Sequence, residues 1–273
     1  MKTWVNGQLL GDPDQPVLTA TDHGVTVGDG VFESIKVVDG RPFALTRHLD
    51  RLVSSARGIG LEGVDVEAVR AGIAATLAAE HLPLGRLRLT VTGGPGPLGS
   101  GRGDAPYSLL VSAVSMAPQP ETAAIVTVPW VRNERSAVAG LKTTSYAENV
   151  VALARAGEQG ASEAIFANTV GDLCEGTGSN LFYVVDGELR TPTLASGCLA
   201  GVTRALVLRW CGGREVDEPI AVAEAADEVF LVSTTRDVQA VRRWNDRELP
   251  APGPVTAAAQ RTWREREAQD IDP

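Results

Sequence analysis

The sequence predicts a protein of mixed α and β structure that is divided into two domains. Apolar runs with the period-two spacing of strands alternate along the chain with segments that have the 3.6-residue period of helices. A polar, proline-bearing segment at residues 116–122 separates two stretches that are each long enough to form a core. We therefore expect an N-terminal domain over residues 1–115, a C-terminal domain over residues 123–273, and a cleft between them.

The N-terminal domain should begin with two hairpins. Asn6-Gly7 is typical of the first turn, and the stretch 31–38 alternates with period two before a second turn at Asp39-Gly40. An amphipathic helix is expected from Leu45 to Gly58, with Thr46 as its cap and Gly58 as its stop. The remaining elements expected here are a helix over Val66–Glu80, which Asp65 would cap, and strands over Leu87–Thr92 and Tyr107–Ala113.

The C-terminal domain should contain a helix directly after Lys142. Ser145 and Glu148 have the spacing of a capping box, which predicts a helix from Tyr146 to about Gln159. The other predicted elements are strands over Ala124–Val128, Ala164–Ala167, Leu181–Val185, Glu188–Thr191 and Glu228–Ser233, a helix over Val202–Cys211, and a last helix from Val255.

Composition excludes several classes of partner. The net charge is −9, which disfavours nucleic acids and anionic membranes. The three cysteines make no disulfide framework, and the three histidines have no close pairing that would indicate a metal site. No apolar run resembles a signal peptide or a transmembrane segment, so a cytoplasmic location is expected.

Several short stretches suggest chemistry when they are considered together. Lys142 precedes a helix start, where its amine could reach into a cleft, although a solvated surface lysine has the same sequence signature. Arg47 and Arg51 share a helix face and suit a phosphate dianion, or a solvated face. Glu175 ends a strand at a turn of small residues, where a carboxylate could hold a pyridinium proton or simply provide turn polarity.

Two further stretches could bind a phosphate. The turn at Gly201 opens a helix, so the N–H groups of Val202 and Thr203 and the Thr203 hydroxyl would be donors. The strand before residues 233–235 ends in three hydroxyl groups. An ordinary capped helix and a polar loop are the alternatives. A lysine amine, a carboxylate and phosphate donors are together what pyridoxal 5′-phosphate requires.

These stretches resemble the fold-type IV pyridoxal-phosphate enzymes, which include branched-chain and D-amino-acid aminotransferases and 4-amino-4-deoxychorismate lyases. The resemblance covers residues 3 to 245 and is carried, in chain order, by Gly28-Asp-Gly-Val-Phe-Glu33, Arg47-His-Leu-Asp-Arg51, Lys142, Glu175-Gly-x-x-Ser-Asn, Gly201-Val-Thr203 and Ser233-Thr-Thr. It implies an N-terminal α/β sandwich, a C-terminal α/β pseudobarrel, a homodimer, and amino acid and 2-keto acid substrates.

The same resemblance implies a role for each matching residue. Lys142 would form the Schiff base with the cofactor, and Arg51 would bind its phosphate. Glu175 would contact the pyridine nitrogen. Val202, Thr203, Thr234 and Thr235 would complete the phosphate site.

Substrate recognition follows none of the subfamily patterns. The loop after the Leu87 strand lacks the Pro-Arg-x-His element of many D-amino-acid enzymes, and Phe32 stands where those enzymes have a tyrosine. Arg102, with Arg236 behind it, is the predicted partner of the substrate carboxylate, and a solvated loop arginine is the alternative for each. Phe32 is a pocket wall or a core residue. An aminotransferase, with D-amino acids as one class of donor, is the first hypothesis. The alternative is aminodeoxychorismate lyase, which releases pyruvate to give 4-aminobenzoate.

Two readings from other classes stay open. Gly94-Pro-Gly96-Pro-Leu-Gly99 matches the Gly-x-Gly-x-x-Gly spacing of a nicotinamide oxidoreductase, but two prolines and the following Ser-Gly-Arg-Gly leave no helix for the pyrophosphate. A non-catalytic protein of the same fold would keep the phosphate donors and would not need Lys142.

Overall fold

The computed structural model describes all 273 residues, which form two compact units. Unit 1 consists of Met1–Pro118, Leu141–Ser145 and Ile271–Pro273. Unit 2 consists of Gln119–Gly140 and Tyr146–Asp270. Strands and helices alternate in both units, so the predicted mixed α and β class is confirmed. No helix in the structure has the length and hydropathy that a bilayer crossing requires.

Unit 1 is built on a six-stranded sheet with the strand order β2-β1-β6-β5-β3-β4, in which every neighbouring pair is antiparallel. Its elements are β1 Lys2–Val5, β2 Gln8–Leu9, α1 His23–Thr26, β3 Gly30–Val38, β4 Arg41–Pro42, α2 Leu45–Gly58, α3 Val66–Ala78, β5 Leu84–Thr92 and β6 Ser108–Ser115. Both predicted hairpins are confirmed, as are the bounds of α2 and the Asp65 cap of α3, which accepts bonds from the N–H groups of Glu67 and Ala68.

The core of unit 1 lies between one face of this sheet and the helices α2 and α3. Val31, Ile35 and Val37 alternate along β3 and pack with Leu49 and Leu52 of α2. Side chains at the even positions of β3, beginning with Phe32, therefore point to the opposite face of the sheet. This separation places Glu33 on the helix side of the strand and Phe32 on the other side.

The segment that contains Lys142 pairs with the start of β3 in the sheet of unit 1. The N–H of Phe32 donates to the carbonyl oxygen of Lys142 at 3.0 Å, and the N–H of Thr144 donates to that of Gly30 at 2.8 Å. A Cβ on Gly30 would lie 2.8 Å from the carbonyl oxygen of Val91 and 3.0 Å from the Thr144 hydroxyl, so this approach requires glycine. The backbone at Lys142 is therefore held as in a strand.

The prediction that Thr46 caps α2 is wrong. The N-cap position is Ala44, in the left-handed region at φ 53°, and it makes no side-chain cap. Asp272 provides the cap from a distant part of the chain, because its carboxylate accepts from the N–H of Thr46 at 2.9 Å and from its hydroxyl at 2.6 Å. The Thr46 hydroxyl is thus a donor to this cap.

Unit 2 contains a nine-stranded sheet with the path β12-β11-β10-β13-β14-β7-β8-β9, and β15 pairs with β14 off this path. Its elements are β7 Thr122–Arg132, α4 Ala147–Glu158, β8 Glu163–Asn168, β9 Leu173–Gly176, β10 Asn180–Val185, β11 Glu188–Thr191, a 3₁₀ turn Leu194–Ser196, α5 Val202–Cys211, β12 Arg214–Glu215, α6 Ile220–Glu224, β13 Glu228–Ser233, β14 Asp237–Trp244, β15 Arg247–Glu248 and α7 Pro254–Gln269.

The predicted capping box of α4 is also wrong. The helix begins at Ala147, and its N-cap residue Tyr146 makes no side-chain cap. The Ser145 hydroxyl instead donates to the carbonyl oxygen of Gly28 at 3.0 Å, and Glu148 forms an ion pair with Arg132. Both partners are remote in sequence, so local spacing could not reveal them.

Candidate active site

Lys142 is fixed at its backbone by two hydrogen bonds, and its amine contacts an aromatic ring. Its N–H donates to the hydroxyl of Ser55 on α2 at 3.1 Å, in addition to the strand-like bond with Phe32. The side chain is half-buried, and Nζ lies 4.4 Å from the centroid of the Phe32 ring. An aromatic face attracts an ammonium group. This contact therefore places the amine on the face of the sheet that is opposite to α2 and α3.

A second cation shares the same ring. The guanidinium carbon of Arg88, on β5, lies 3.4 Å from the Phe32 centroid. Arg88 pairs in register with Ser34 and Thr90 with Phe32, so the arginine and the phenylalanine are diagonal neighbours on one face. Sequence reasoning missed Arg88, although the alternation of polar and apolar residues along β5 was a signal for its direction.

Arg51 is oriented by a buried carboxylate. Its Nε and one terminal nitrogen donate to the two oxygens of Glu33 at 2.8 and 2.7 Å, which is the bidentate geometry of an arginine fork. His48 Nδ1 lies 2.7 Å from the Oε2 atom of Glu33. Glu33 and His48 are 0% and 1% exposed. The second arginine of this helix, Arg47, instead donates to the carbonyl oxygen of Pro273 at 2.6 Å.

The charges of this cluster follow from burial and pairing. Burial by itself would raise the pKa of Glu33, but Arg51 and His48 outweigh it and lower the pKa to about 2. Burial lowers the pKa of His48, and this effect exceeds the opposing attraction of Glu33. At neutral pH the cluster is therefore a carboxylate, a guanidinium and a neutral imidazole.

Glu175 lies at the centre of a second polar cluster, in unit 2. Its Oε2 atom accepts from the N–H of Leu199 at 3.0 Å, and its Oε1 atom forms an ion pair with Arg132 Nε at 3.5 Å. Asn180 donates to the carbonyl oxygen of Leu199 at 3.0 Å. These bonds tie Glu175 to the segment that leads directly into α5.

The first turn of α5 presents backbone donors that have no protein acceptor. Gly201 is the N-cap residue and provides no side chain, and no acceptor lies within hydrogen-bonding distance of the N–H groups of Val202 and Thr203. A Cβ on Gly201 would lie 2.0 Å from the Asn180 amide oxygen, which explains the glycine. Orphan N–H groups and the dipole of a ten-residue helix favour an anion here.

The turn after β13 carries the other predicted hydroxyl groups. Thr234 and Thr235 are both half-buried in this turn. The following residue, Arg236, forms an ion pair with Glu163 at 3.1 Å and donates to the amide oxygen of Gln239 and to the carbonyl oxygen of Ser162. The turn is thus anchored through its arginine.

Arg102 is similarly engaged within unit 1. Its guanidinium donates to both oxygens of Asp29 at 2.6 Å, and to the carbonyl oxygens of Gly60 at 2.6 Å and Ile59 at 2.9 Å. A substrate carboxylate would have to displace these acceptors from Arg102, or the equivalent ones from Arg236. The glycine-rich segment 94–99 lies in the loop between β5 and β6 and is followed by no helix. It therefore lacks the helix N-terminus that binds the pyrophosphate in a nicotinamide oxidoreductase.

Comparison with known proteins identifies the relatives of this chain. A family model described as amino-transferase class IV matches residues 30–244. A putative branched-chain-amino-acid aminotransferase from Methanocaldococcus jannaschii is 32% identical over 87% of this chain and 86% of its own length. A bifunctional aminodeoxychorismate lyase / D-amino acid transaminase from Mycobacterium tuberculosis is 30% identical over 92% of this chain and 93% of its own.

Among solved structures, a branched-chain aminotransferase from Thermoproteus uzoniensis, crystallised with norvaline, superposes with a TM-score of 0.90 at 28% identity. The superposition covers 97% of this chain and 94% of the chain in that structure. The likeness therefore extends over both units.

Proposed function

The chain belongs to the class IV aminotransferase family, whose members use pyridoxal 5′-phosphate, and on that premise we propose that it is a transaminase in which Lys142 carries the cofactor. The reaction moves an amino group between an amino acid and a 2-keto acid. The observation that supports it most is the placement of Lys142, with a backbone pinned to β3 and α2 and an amine on the Phe32 ring. Fixed positioning of a reactive group is a large part of catalysis.

The proposed phosphate donors lie in separate stretches of the chain, and each stretch has a local geometry that suits an anion. In unit 2 the N–H groups of Val202 and Thr203 lack protein acceptors, and the hydroxyls of Thr234 and Thr235 are proposed to add to them. In unit 1 the Arg51 fork is oriented by Glu33. Phosphate dianions are bound in this way at helix N-termini and by arginine.

Glu175 fits the ring nitrogen. Its carboxylate is held by one backbone N–H and by a guanidinium, both of which favour the ionised form. An ionised carboxylate can accept a hydrogen bond from a protonated pyridine nitrogen and keep that proton in place.

When bound, the cofactor supplies an electron sink that stabilises negative charge on the substrate Cα. Lys142 Nζ would remove the proton from the substrate Cα as a base and then, as an acid, donate it to carbon C4′ of the cofactor. Glu175 holds the proton on the ring nitrogen meanwhile. Arg51 and the backbone N–H groups of the first turn of α5 would hold the phosphate.

Arg88 is the proposed partner of the substrate carboxylate. It shares the Phe32 ring with Lys142, so its guanidinium and the reactive amine lie on one aromatic side chain. Arg88 Nε donates to the Thr90 hydroxyl at 3.3 Å, which helps to orient the guanidinium on this face of the sheet. A carboxylate placed by Arg88 would hold the substrate Cα near Nζ.

The second candidate function is the release of pyruvate from 4-amino-4-deoxychorismate to give 4-aminobenzoate. A relative that is 30% identical is described as a bifunctional aminodeoxychorismate lyase and D-amino acid transaminase. The same lysine and the same ring contacts would serve both reactions, so the residues described above do not discriminate between them.

Half-reaction spectroscopy separates the two functions. The cofactor-loaded enzyme is mixed in turn with D-alanine, D-glutamate, L-leucine and aminodeoxychorismate, without a keto acid. A transaminase loses the visible absorbance band with its true donor, and the band returns when a keto acid is added. Pyruvate release from aminodeoxychorismate with an unchanged band, and no bleaching by any amino acid, would contradict the transaminase proposal.

The homodimer and the domain bounds implied by the sequence stay part of this proposal. Light scattering on the purified, cofactor-loaded protein should give twice the chain mass of 28.7 kDa. A single-chain mass would contradict the dimer and leave the proposed chemistry untouched. Limited proteolysis should cut first in the predicted linker, residues 116–122.

A further inference from the structure

We propose that Arg132 is a positioning residue that keeps Glu175 ionised and aimed, and so keeps the cofactor's ring nitrogen protonated. The inference rests on the proposed function, because it gives Glu175 the ring nitrogen as its partner. Arg132 ends β7, ten positions before Lys142, and no sequence motif singled it out. Its role follows from what its guanidinium contacts.

The Arg132 guanidinium is held on three sides within unit 2. It stacks on the Phe166 ring, with 4.1 Å between the guanidinium carbon and the ring centroid. One terminal nitrogen binds Glu148, and the other donates to the amide oxygen of Asn149 at 2.8 Å. Nε is buried, makes no hydrogen bond and lies 3.5 Å from Glu175 Oε1, so the two side chains interact as an ion pair. The side chains of both residues are 16% exposed, so water screens this pair only in part.

The surrounding elements also position the strand and the turn that carry Glu175. Phe166 on β8 is the register partner of Glu175 on β9, so the ring that supports Arg132 lies directly across from the carboxylate. Asn149 also donates to the carbonyl oxygen of Thr177, in the turn that follows Glu175. Arg132 and the Glu175 turn are thus connected both through β8 and through α4.

The consequence concerns the location of one proton. Between a carboxylate and a pyridine nitrogen, the proton rests on whichever group binds it more strongly. A guanidinium beside Glu175 stabilises the carboxylate and therefore disfavours the protonated acid. The proton then stays on the ring nitrogen, which is the form that withdraws electrons from the substrate Cα. Removing Arg132 should move the proton toward Glu175 and weaken the bond to the cofactor.

The test uses the full-length protein and pyridoxal 5′-phosphate labelled with nitrogen-15 at the ring nitrogen. Arg132→Gln removes the charge, and Arg132→Lys keeps the charge without the planar fork. Arg135→Gln is the matched control, because this arginine lies on the same connection, is 83% exposed and pairs only with Glu134. Each variant is measured by the nitrogen chemical shift of the bound cofactor, by titration of the apoenzyme with cofactor, and by thermal unfolding.

We expect Arg132→Gln to move the nitrogen shift toward that of an unprotonated pyridine and to weaken cofactor binding about tenfold. Arg132→Lys should restore a good part of both properties, and Arg135→Gln should match the wild type. In a Glu175→Gln background the Arg132→Gln change should add little to the loss of cofactor affinity, because Arg132 acts through that carboxylate.

The outcomes separate this role from a merely structural one and from the proposed function itself. An Arg132→Gln protein that unfolds at a lower temperature but keeps the wild-type nitrogen shift would show that Arg132 only supports the fold. An equal loss of cofactor affinity in the presence and absence of Glu175 would also overturn the inference. A wild-type chain that binds no cofactor would instead contradict the proposed function.

Discussion

At the scale of single residues, the candidate site depends on carboxylates that hold cations in place. Glu33 accepts from Arg51 and contacts His48, and Glu175 binds Arg132. A buried charge is costly unless it is paired, so each carboxylate fixes the position of the arginine that pairs with it. The arginines are thereby oriented before any ligand arrives, which reduces the entropy that binding must overcome.

Replacing Glu33 with glutamine should destabilise the protein and loosen Arg51. The change keeps the shape of the side chain and leaves Arg51, whose side chain is only 12% exposed, without its counter-ion, which costs about 3 kcal/mol of unfolding free energy. Urea unfolding at neutral pH measures this loss. The control is Glu67→Gln, whose side chain is 87% exposed at a 3.9 Å pair with Arg70 and should leave stability unchanged. Equal effects of the two changes would contradict the account of Glu33.

The same cluster predicts a two-step loss of stability in acid. His48 is held neutral by burial, which lowers its pKa from 6.5, so its contribution is complete above pH 6.5 and declines as the pH falls below it. Glu33 has its pKa lowered from 4.5 to about 2, so its contribution is complete above pH 4.5 and is lost between that pH and 2. The second step is on the order of 3 kcal/mol.

Urea unfolding of the wild type, His48→Gln and Glu33→Gln at a series of pH values measures these steps. His48→Gln should lose the decline that begins near pH 6.5, and Glu33→Gln should lose the one that begins near pH 4.5. Unfolding free energies with the same pH dependence in all three proteins would show that the cluster does not control acid sensitivity.

Arg88 carries the most specific prediction about substrate. Arg88→Gln should raise the Michaelis constant for the amino acid by about 10- to 100-fold, the value of one charge-assisted hydrogen bond, while cofactor affinity stays unchanged. Arg86→Gln is the matched control, since Arg86 is two positions away on the same face of β5 and is exposed. Steady-state kinetics decides the matter, and a normal Michaelis constant in Arg88→Gln would exclude Arg88 from the carboxylate site.

At the scale of elements, α2 connects several parts of unit 1. Its buried face presents His48 to Glu33, Leu52 to the core and Ser55 to the backbone of Lys142. Its start is capped by Asp272, 226 positions along the chain from Thr46. The helix therefore depends on residues that its own sequence does not contain.

Asp272→Ala should destabilise the first turn of α2, because the N–H of Thr46 loses its acceptor. Loss of a side-chain cap costs about 1 kcal/mol, so the midpoint of urea unfolding should fall by a corresponding amount. Asp14→Ala is the control, because Asp14 is also exposed in unit 1 and caps no helix. Slower hydrogen exchange at Thr46 in the variant than in the wild type would contradict the capping role, since the Thr46 amide should exchange faster without its acceptor.

Sequence reasoning succeeded for elements whose signals are local and failed where partners are remote. The bounds of α2 and the strand from Glu228 to Ser233 followed from periodicity and glycine positions. The capping residues Thr46 and Ser145 were misassigned because Asp272 and Gly28 compete for their hydroxyl groups. The proposed roles of Arg88 and Arg132 have no local sequence signal, because their partners become neighbours only through strand register.

At the scale of the whole molecule, two features escaped a reading along the chain. The strand β14 was not predicted, since its Gln and paired Arg residues obscure the apolar pattern, yet it pairs with both β13 and β7 inside the sheet of unit 2. The segments Leu141–Ser145 and Ile271–Pro273 join unit 1 although they lie far along the chain. Contacts between distant segments define compact units, and composition carries little information about them.

The central claim is that Lys142 holds pyridoxal 5′-phosphate, and borohydride reduction followed by peptide mass spectrometry tests it most directly. The purified wild type should be yellow, and reduction should leave the cofactor bound to the peptide that contains Lys142. Lys142→Ala, measured beside it, should be unlabelled. Label on another lysine, or equal labelling of the wild type and Lys142→Ala, would contradict the account.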